Sequence, residues 1–242
     1  MPTTKPGYSV DAPAVVGAFL TLGPTLLALG ILFPVIHTGP VSLKFRPMAL
    51  SMGISFAASG ALMLLYAKFG KFRHRDRMLK MVNWNGNEAV LDVGTGRGLL
   101  MIGAAKRLQS GKAIGIDIWN EKDLSGNAEA NTLQNASLEG VRDKIELRTD
   151  DATKMNFPDA SFDVVLSNLC LHNISTRAGR DRACAEIIRV LRPGGKAIIS
   201  DYKNTRDYLT AFRSLGTRAS RGGMNLDTFP PLRIVRVEKL KP

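Results

Sequence analysis

Val90-Leu91-Asp92-Val93-Gly94-Thr95-Gly96-Arg97-Gly98-Leu99-Leu100 is an apolar run that stops on an acidic residue, breaks into alternating glycines and returns to apolar residues. The pattern predicts a strand, a tight loop and a helix. Glycines let the backbone take positive φ and come close to a ligand, and the following helix offers unpaired N–H groups at its start. A dinucleotide fingerprint, Gly-x-Gly-x-x-Gly, would need glycine where Leu99 stands. The spacing here is Asp-x-Gly-x-Gly-x-Gly, a cofactor-cradling turn of another kind.

The 242 residues, 45% of them hydrophobic, suffice for one well-buried domain and an appendage. Two cysteines, Cys170 and Cys184, form neither a disulfide framework nor a metal cluster and suit a reducing, cytosolic compartment. The net charge is +12, but it is unevenly spread: residues 1–80 hold nine Lys or Arg against Asp11 and Asp76. That local excess argues against a nucleic-acid-binding surface spread over one globule.

Its neighbours explain the excess. No charged side chain occurs from Ala12 to Leu43, and a second uncharged stretch runs from Pro47 to Ala67. About 20 helical residues span the ~30 Å hydrocarbon core of a bilayer. Pro24 and several glycines are tolerated in membrane helices, and Pro13 suits a first turn. The expectation is a membrane hairpin over residues 1–70, with helices at about 13–36 and 47–67 and a turn through His37–Arg46. Ser51, Ser55 and Ser59, four residues apart, are expected to form the seam between the helices. Lys68, Lys71, Arg73, Arg75, Arg77 and Lys80 come next, which places the second helix end and the rest of the chain on the cytoplasmic side of the cell membrane.

Residues 71–242 alternate strands and helices, the signature of a parallel sheet covered on both faces. Strands are expected at Ala89–Val93, Ala113–Ile118, Ile145–Thr149, Phe162–Ser167 and Lys196–Ser200, and helices at Leu99–Leu108, Gly126–Leu138 and Asp181–Val190. A helix at Thr205–Leu215 and a strand at Leu232–Lys239 complete an α/β, doubly wound, Rossmann-like arrangement.

In such sheets ligands bind at the carboxyl ends of the strands, so chemistry-bearing residues belong there. The second strand ends on Asp117, whose carboxylate suits two ribose hydroxyls. The third is followed by Thr149-Asp150-Asp151-Ala152 and the fourth ends in Ser167-Asn168; Glu186 to Gly195 is a helix closed by a Pro-Gly-Gly turn. With Asp92–Gly98, these segments in this order resemble the class I S-adenosylmethionine (SAM) dependent methyltransferases. The resemblance covers residues 89–201 and lies nearest the small-molecule branch of quinone, sterol, phospholipid and arsenite enzymes. Trp119–Asn127 and Phe229-Pro230-Pro231-Leu232-Arg233 look like a bacterial subgroup of predicted methyltransferases. It implies SAM as cofactor, held by Asp92, Gly94, Thr95, Gly96, Gly98, Asp117 and Ile118. It also implies Asp151 and Ala152 at the adenine, with Asp150 an alternative to Asp151, and Asn168 at the methionine end or the acceptor.

His172, four residues past Asn168, is the one base with a suitable position; a role lining the pocket is the alternative. Two cysteines are too few for the thiolate set of arsenite enzymes. The Ser167-Asn168-Leu169-Cys170 stretch lacks the Asn-Pro-Pro-Tyr type signature of nucleobase methylation. The expected acceptor is a small, amphipathic or lipid-like molecule at the cytoplasmic face, with no nucleic acid partner and no metal. A soluble acceptor, or a membrane-anchored SAM-binding scaffold without catalysis, are the competing expectations.

Overall fold

Residues 5–241 are described by a computed structural model. Pro13–Leu32 form helix α1 and Arg46–Leu65 form α2, joined by a two-stranded antiparallel ribbon, β1 (Val35–Thr38) and β2 (Val41–Lys44). The first helix thus stops short of residue 36, and the expected loop is an ordered ribbon whose strand residues are all exposed. Both helices are long and apolar enough to cross a membrane, and only 17% of the most apolar window of each is buried. A core helix of a water-soluble domain would bury most of that surface.

The seam between α1 and α2 is built from glycine and alanine, not from the serines. A Cβ on Gly23 would lie 2.6 Å from the Ala57 backbone nitrogen, and one on Gly30 would lie 2.8 Å from the Ala49 Cβ. Gly53 and Gly60 sit as tightly against Leu27 and Leu20. Seven-residue spacing on each helix keeps these glycines on one face, and the absent side chains let the backbones approach. Ser51 and Ser55 are exposed and return their hydroxyls to the carbonyls of Met48 and Ser51. Phe19 and Phe56 stack with centroids 5.4 Å apart.

The second helix continues past residue 67. Tyr66–Gly70 make a π-helical turn and Lys71–Leu79 form α3, so Arg46–Leu79 is one helical run. Its far end is core: Met78 and Leu79 are fully buried against Val90, Met101 and Leu166.

Beyond it lie β3 (Ala89–Val93), α4 (Leu99–Ala105), β4 (Lys112–Asp117), α5 (Glu129–Leu138), β5 (Ile145–Thr149) and β6 (Phe162–Asn168). The chain continues through α6 (Arg177–Val190), β7 (Leu191–Asp201), α7 (Thr205–Ser214), β8 (Arg218–Asn225) and β9 (Leu232–Glu238). The strands form a seven-stranded sheet in the order β5-β4-β3-β6-β7-β9-β8. Its first five strands are parallel, while β9 is antiparallel to both β7 and β8. Leu100, Met101, Ile102 and Ala136 cover one face with α3; Ile187, Tyr208 and Phe212 of α6 and α7 cover the other. Full burial of Met101, Ile102, Ile187 or Phe212 contributes about 1.5–3 kcal/mol each over an exposed position. The order reverses between β3 and β6, which opens a crevice at the carboxyl ends of these strands.

Two further differences from expectation lie in the sheet. β8 was absent from the sequence pattern, and Pro193-Gly194-Gly195 does not precede the strand but bulges within β7. Phe162 pairs with Leu191 while Val164 pairs with Lys196, so the extra residues loop out there.

Candidate functional site

The Asp92–Gly98 segment leaves β3 as a tight loop into α4. Gly94 has φ +73°, and a Cβ there would stand 2.3 Å from the Cys170 Sγ; glycine is required twice over. The loop is pinned to β4: Gly94 and Thr95 donate N–H to the Ile116 carbonyl at 2.9 and 3.0 Å, and Gly96 donates to Asp117 Oδ2 at 2.8 Å. Asp92 is buried, and its Oδ2 accepts from Thr95 Oγ1 and the Met101 N–H, both at 3.0 Å, tying the strand to the first turn of α4. Its Oδ1 has no partner. Burial pushes the Asp92 carboxyl up to about 7, against the opposing pull of those two hydrogen bonds.

Asp117 ends β4 beside the loop. Besides Gly96, it accepts from the Trp119 N–H at 2.7 Å and Asn127 Nδ2 at 3.1 Å, through Oδ1. Asn127 is buried, with an unpartnered Oδ1, and is a site residue that the sequence did not single out. Ile118 is 65% exposed at the rim, an uncommon position for isoleucine and one that suits a flat ring lying over it. Trp119 Nε1 donates to Thr149 Oγ1 at 2.8 Å, which ties the ends of β4 and β5 together. After β5, Asp150 accepts from the Asp151 and Asn156 N–H groups and Asp151 accepts from Thr153 N–H. Asp151 is exposed and Ala152 is half-buried against the core.

On the other side of the crevice, Asn168 ends β6 with a buried, unpartnered Oδ1. His172 lies in a short helical turn, Leu171–Asn173, directly after it. Its Nδ1 is 2.8 Å from Asp201 Oδ1, and its backbone N–H donates to Asp201 Oδ2 at 3.1 Å. Asp201, at the end of β7, is fully buried and also accepts from Tyr208 Oη and the Tyr202 N–H. The Tyr202 ring meets the imidazole edge-on at 4.7 Å. Burial most of all, and then the proximity of Asp201, raise the Tyr208 hydroxyl's pKa. Burial likewise pushes the Cys170 thiol up, so this cysteine packs as a neutral thiol.

The roof comes from the N-terminal part of the chain. Gly7 exchanges hydrogen bonds with Asn135, whose Nδ2 also donates to the Arg97 carbonyl at 3.0 Å. Tyr8 Oη donates to Glu139 at 2.9 Å, Asp11 bridges Leu124, and Ala12 N–H donates to the Asp123 carbonyl. Residues 7–12 therefore cross the cofactor loops just before α1 begins. Lys71 is buried and donates to the carbonyls of Tyr8 (2.6 Å) and Ser9, closing the strap from the α3 side. From the π-turn, the Tyr66 ring packs on Gly70 and its hydroxyl is turned toward Asn168, buried and without a hydrogen-bond partner.

The crevice thus gathers Asp92, Thr95, the glycines, Asp117, Asn168 and His172, with Asp151 and Ala152 one strand further out. Unpaired acceptor atoms of Asp92, Asn127 and Asn168 lie among them. That set fits a ligand bearing ribose hydroxyls and an ammonium group, as SAM does. Among known proteins, residues 91–199 match the family described as Methyltransferase domain. The chain is 31% identical over 144 residues to 2-phytyl-1,4-beta-naphthoquinone methyltransferase of Arabidopsis thaliana, covering 58% of this chain and 52% of that one. It is 32% identical over 131 residues to demethylmenaquinone methyltransferase of Lactiplantibacillus plantarum, covering 53% and 52%. The matched region thus spans about half the length of these curated relatives. A solved SAM-dependent methyltransferase from Aquifex aeolicus shares the fold at TM-score 0.54 and 19% identity, over 69% of this chain and 89% of that one. Residues 91–199 are thus similar to a methyltransferase domain, within a sheet that has the fold of a solved SAM-dependent methyltransferase.

Proposed function

We propose that the protein transfers a methyl group from SAM to a small amphipathic or lipid-like acceptor at the cytoplasmic face of the cell membrane. In this proposal residues 1–70 are the anchor and 71–242 the catalytic domain. Bound SAM supplies a methyl group already activated on a sulfonium, so alignment and exclusion of water are the main demands on the protein. Such orientation contributes on the order of 7–11 kcal/mol. Asp117 accepts from the ribose hydroxyls, Asp151 and Ala152 N–H meet the adenine edge against Ile118, and Asp92 and Asn168 face the methionine end. His172, fixed through its backbone N–H to Asp201 and with Nδ1 2.8 Å from that carboxylate, turns Nε2 to the acceptor and takes its proton as the methyl bond forms.

One observation carries the lipid-side assignment: the chain enters α1 from the strap over the cofactor loops and leaves α2 through Tyr66 beside Asn168. Both ends of the hairpin therefore meet the site end of the sheet. The basic residues after α2 support a cytoplasmic placement. The two relatives named for quinone substrates support an acceptor with an apolar tail.

Membranes containing the full chain, incubated with methyl-labelled SAM and extracted with organic solvent, test this. Label is expected in the organic phase. Label in the aqueous phase alone overturns the lipid-like acceptor, and no label together with no calorimetric SAM binding overturns the enzyme.

A further inference from the structure

Three arginines, Arg206, Arg221 and Arg233, are gathered near the start of α7. β9 pairs Arg233 with Asp201 of β7, and Val235 with Arg221 of β8. Residues directly opposite in an antiparallel pair share a face, as do residues two apart along a strand. Arg221, Val235, Arg233 and Asp201 therefore all point to the face that α7 covers, where Val235 packs with Tyr208 and Phe212. Arg221 Nε donates to Thr205 Oγ1 at 2.8 Å, which fixes its guanidinium against the first residue of α7. Arg206 is the next residue of that helix. Burial and the charges of Arg233 and Arg206 all weaken the hold of Arg221 on its proton, a sign that the three share one neighbourhood.

Among the described residues there are ten ion pairs, and none includes Arg206, Arg221 or Arg233. The carboxylate across the strands, Asp201, is buried and already engaged with His172, Tyr208 and the Tyr202 N–H. Like charges gathered without a counter-ion repel one another and are relieved by a bound anion. A single carboxylate occupies one guanidinium fork; a phosphate presents oxygens to several at once. The first-turn N–H groups of α7 add to the same field.

We propose that Arg206, Arg221 and Arg233 form a binding site for a phosphate group, monoester or pyrophosphate, carried by the methyl acceptor. Arg233 pairs across the sheet with Asp201, the carboxylate that contacts His172, so the anion site adjoins the crevice. The link to an acceptor rests on the proposed methyl transfer; the anion site stands on the arginines. A lipid headgroup and a soluble phosphate ester share this chemistry.

Calorimetric titration of the full chain in neutral detergent with inorganic pyrophosphate tests the site. Saturable binding is expected, weakened at least tenfold in the double variant R206Q/R233Q and within twofold of wild type in R236Q, where Arg236 is an exposed arginine of the same strand on the opposite face. Unaltered SAM binding by the double variant shows that it is folded; should wild type bind pyrophosphate but not SAM, the methyltransferase proposal fails and the anion site survives. Displacement of pyrophosphate by phosphatidic acid but not phosphatidylcholine assigns a lipid source, and displacement by glycerol phosphate alone assigns a soluble one. No saturable binding by wild type, or an equal loss in R236Q, overturns the proposal.

Discussion

His172 Nδ1 lies 2.8 Å from Asp201 Oδ1, although 29 residues and a whole helix separate the two in the chain. The contact exists because β6 and β7 are parallel neighbours, with Asn168 opposite Ser200, so the turn after one strand meets the end of the other. A general base contributes roughly 10²–10⁴-fold. His172→Gln should lower kcat by about that factor while SAM affinity, read by calorimetry, stays within twofold. Asp201→Asn should lower kcat in the same direction by less, since Nε2 is retained; an unchanged kcat in both variants removes the base from the mechanism.

Asp117 should matter to SAM through its own oxygens and through the loop it holds by the Gly96 N–H. Asp117→Ala is expected to weaken SAM binding by at least the ~1.5–3 kcal/mol of a hydrogen bond to a charged group. Calorimetry with SAM and its demethylated product measures this directly, and an unchanged affinity refutes the ribose role.

The buried Asp92 predicts a pH dependence. Its carboxyl is raised from 3.8 to about 7 in the fold, so between these values the unfolded chain is ionised while the folded one is not. Its contribution to stability is therefore full below about pH 4, falls as pH rises, and is lost above about pH 7, on the order of 4 kcal/mol in all. Asp92→Asn should flatten that part of the thermal-stability profile in detergent. If the SAM ammonium group meets the free Oδ1, binding should release a proton near neutrality and tighten as pH rises from about 6 to 8. Titrations in buffers of different ionisation enthalpy will register the proton.

Gly23 lies on the backbone of Ala57. Gly23→Leu forces α1 and α2 apart and should cost about 1–3 kcal/mol, the usual toll of overpacking. A fall in the thermal midpoint of the full chain checks it; Ser55→Leu, on the exposed face, should leave the midpoint unmoved.

Tyr66 points its hydroxyl at Asn168 from the π-turn at the end of α2. Tyr66→Phe should raise the acceptor KM or lower kcat at least tenfold without moving SAM affinity. Equal loss of SAM binding would place the hydroxyl at the cofactor instead.

Much of the crevice was visible in the linear chain because its parts sit at the ends of regular strands. The glycine loop, Asp117 and Asn168 each come after a run of apolar residues whose end can be counted. Asp201 ends such a run too, but its use depends on which strand lies beside β7, and no local signal carries that. Tyr66 is one aromatic residue in an apolar helix, without a mark to separate it from its neighbours. β8 includes Gly222 and Gly223 and alternates poorly; pairing with β9 makes it a strand. In the hairpin two regular spacings competed, serine every four residues and glycine every seven, and contact distance decided for the smaller side chain.

The strap at residues 7–12 sets a practical boundary on how this protein can be handled. Cutting the chain just before Lys71 to obtain a detergent-free enzyme would discard Gly7, which is bonded to Asn135, and the Tyr8 and Ser9 carbonyls that hold the Lys71 ammonium. The fragment would lose the crosspiece over its cofactor loops, and the Lys71 ammonium that holds the crosspiece in the full chain would stand in water at its first residue. Weak SAM binding by such a fragment would report the missing crosspiece rather than the enzyme.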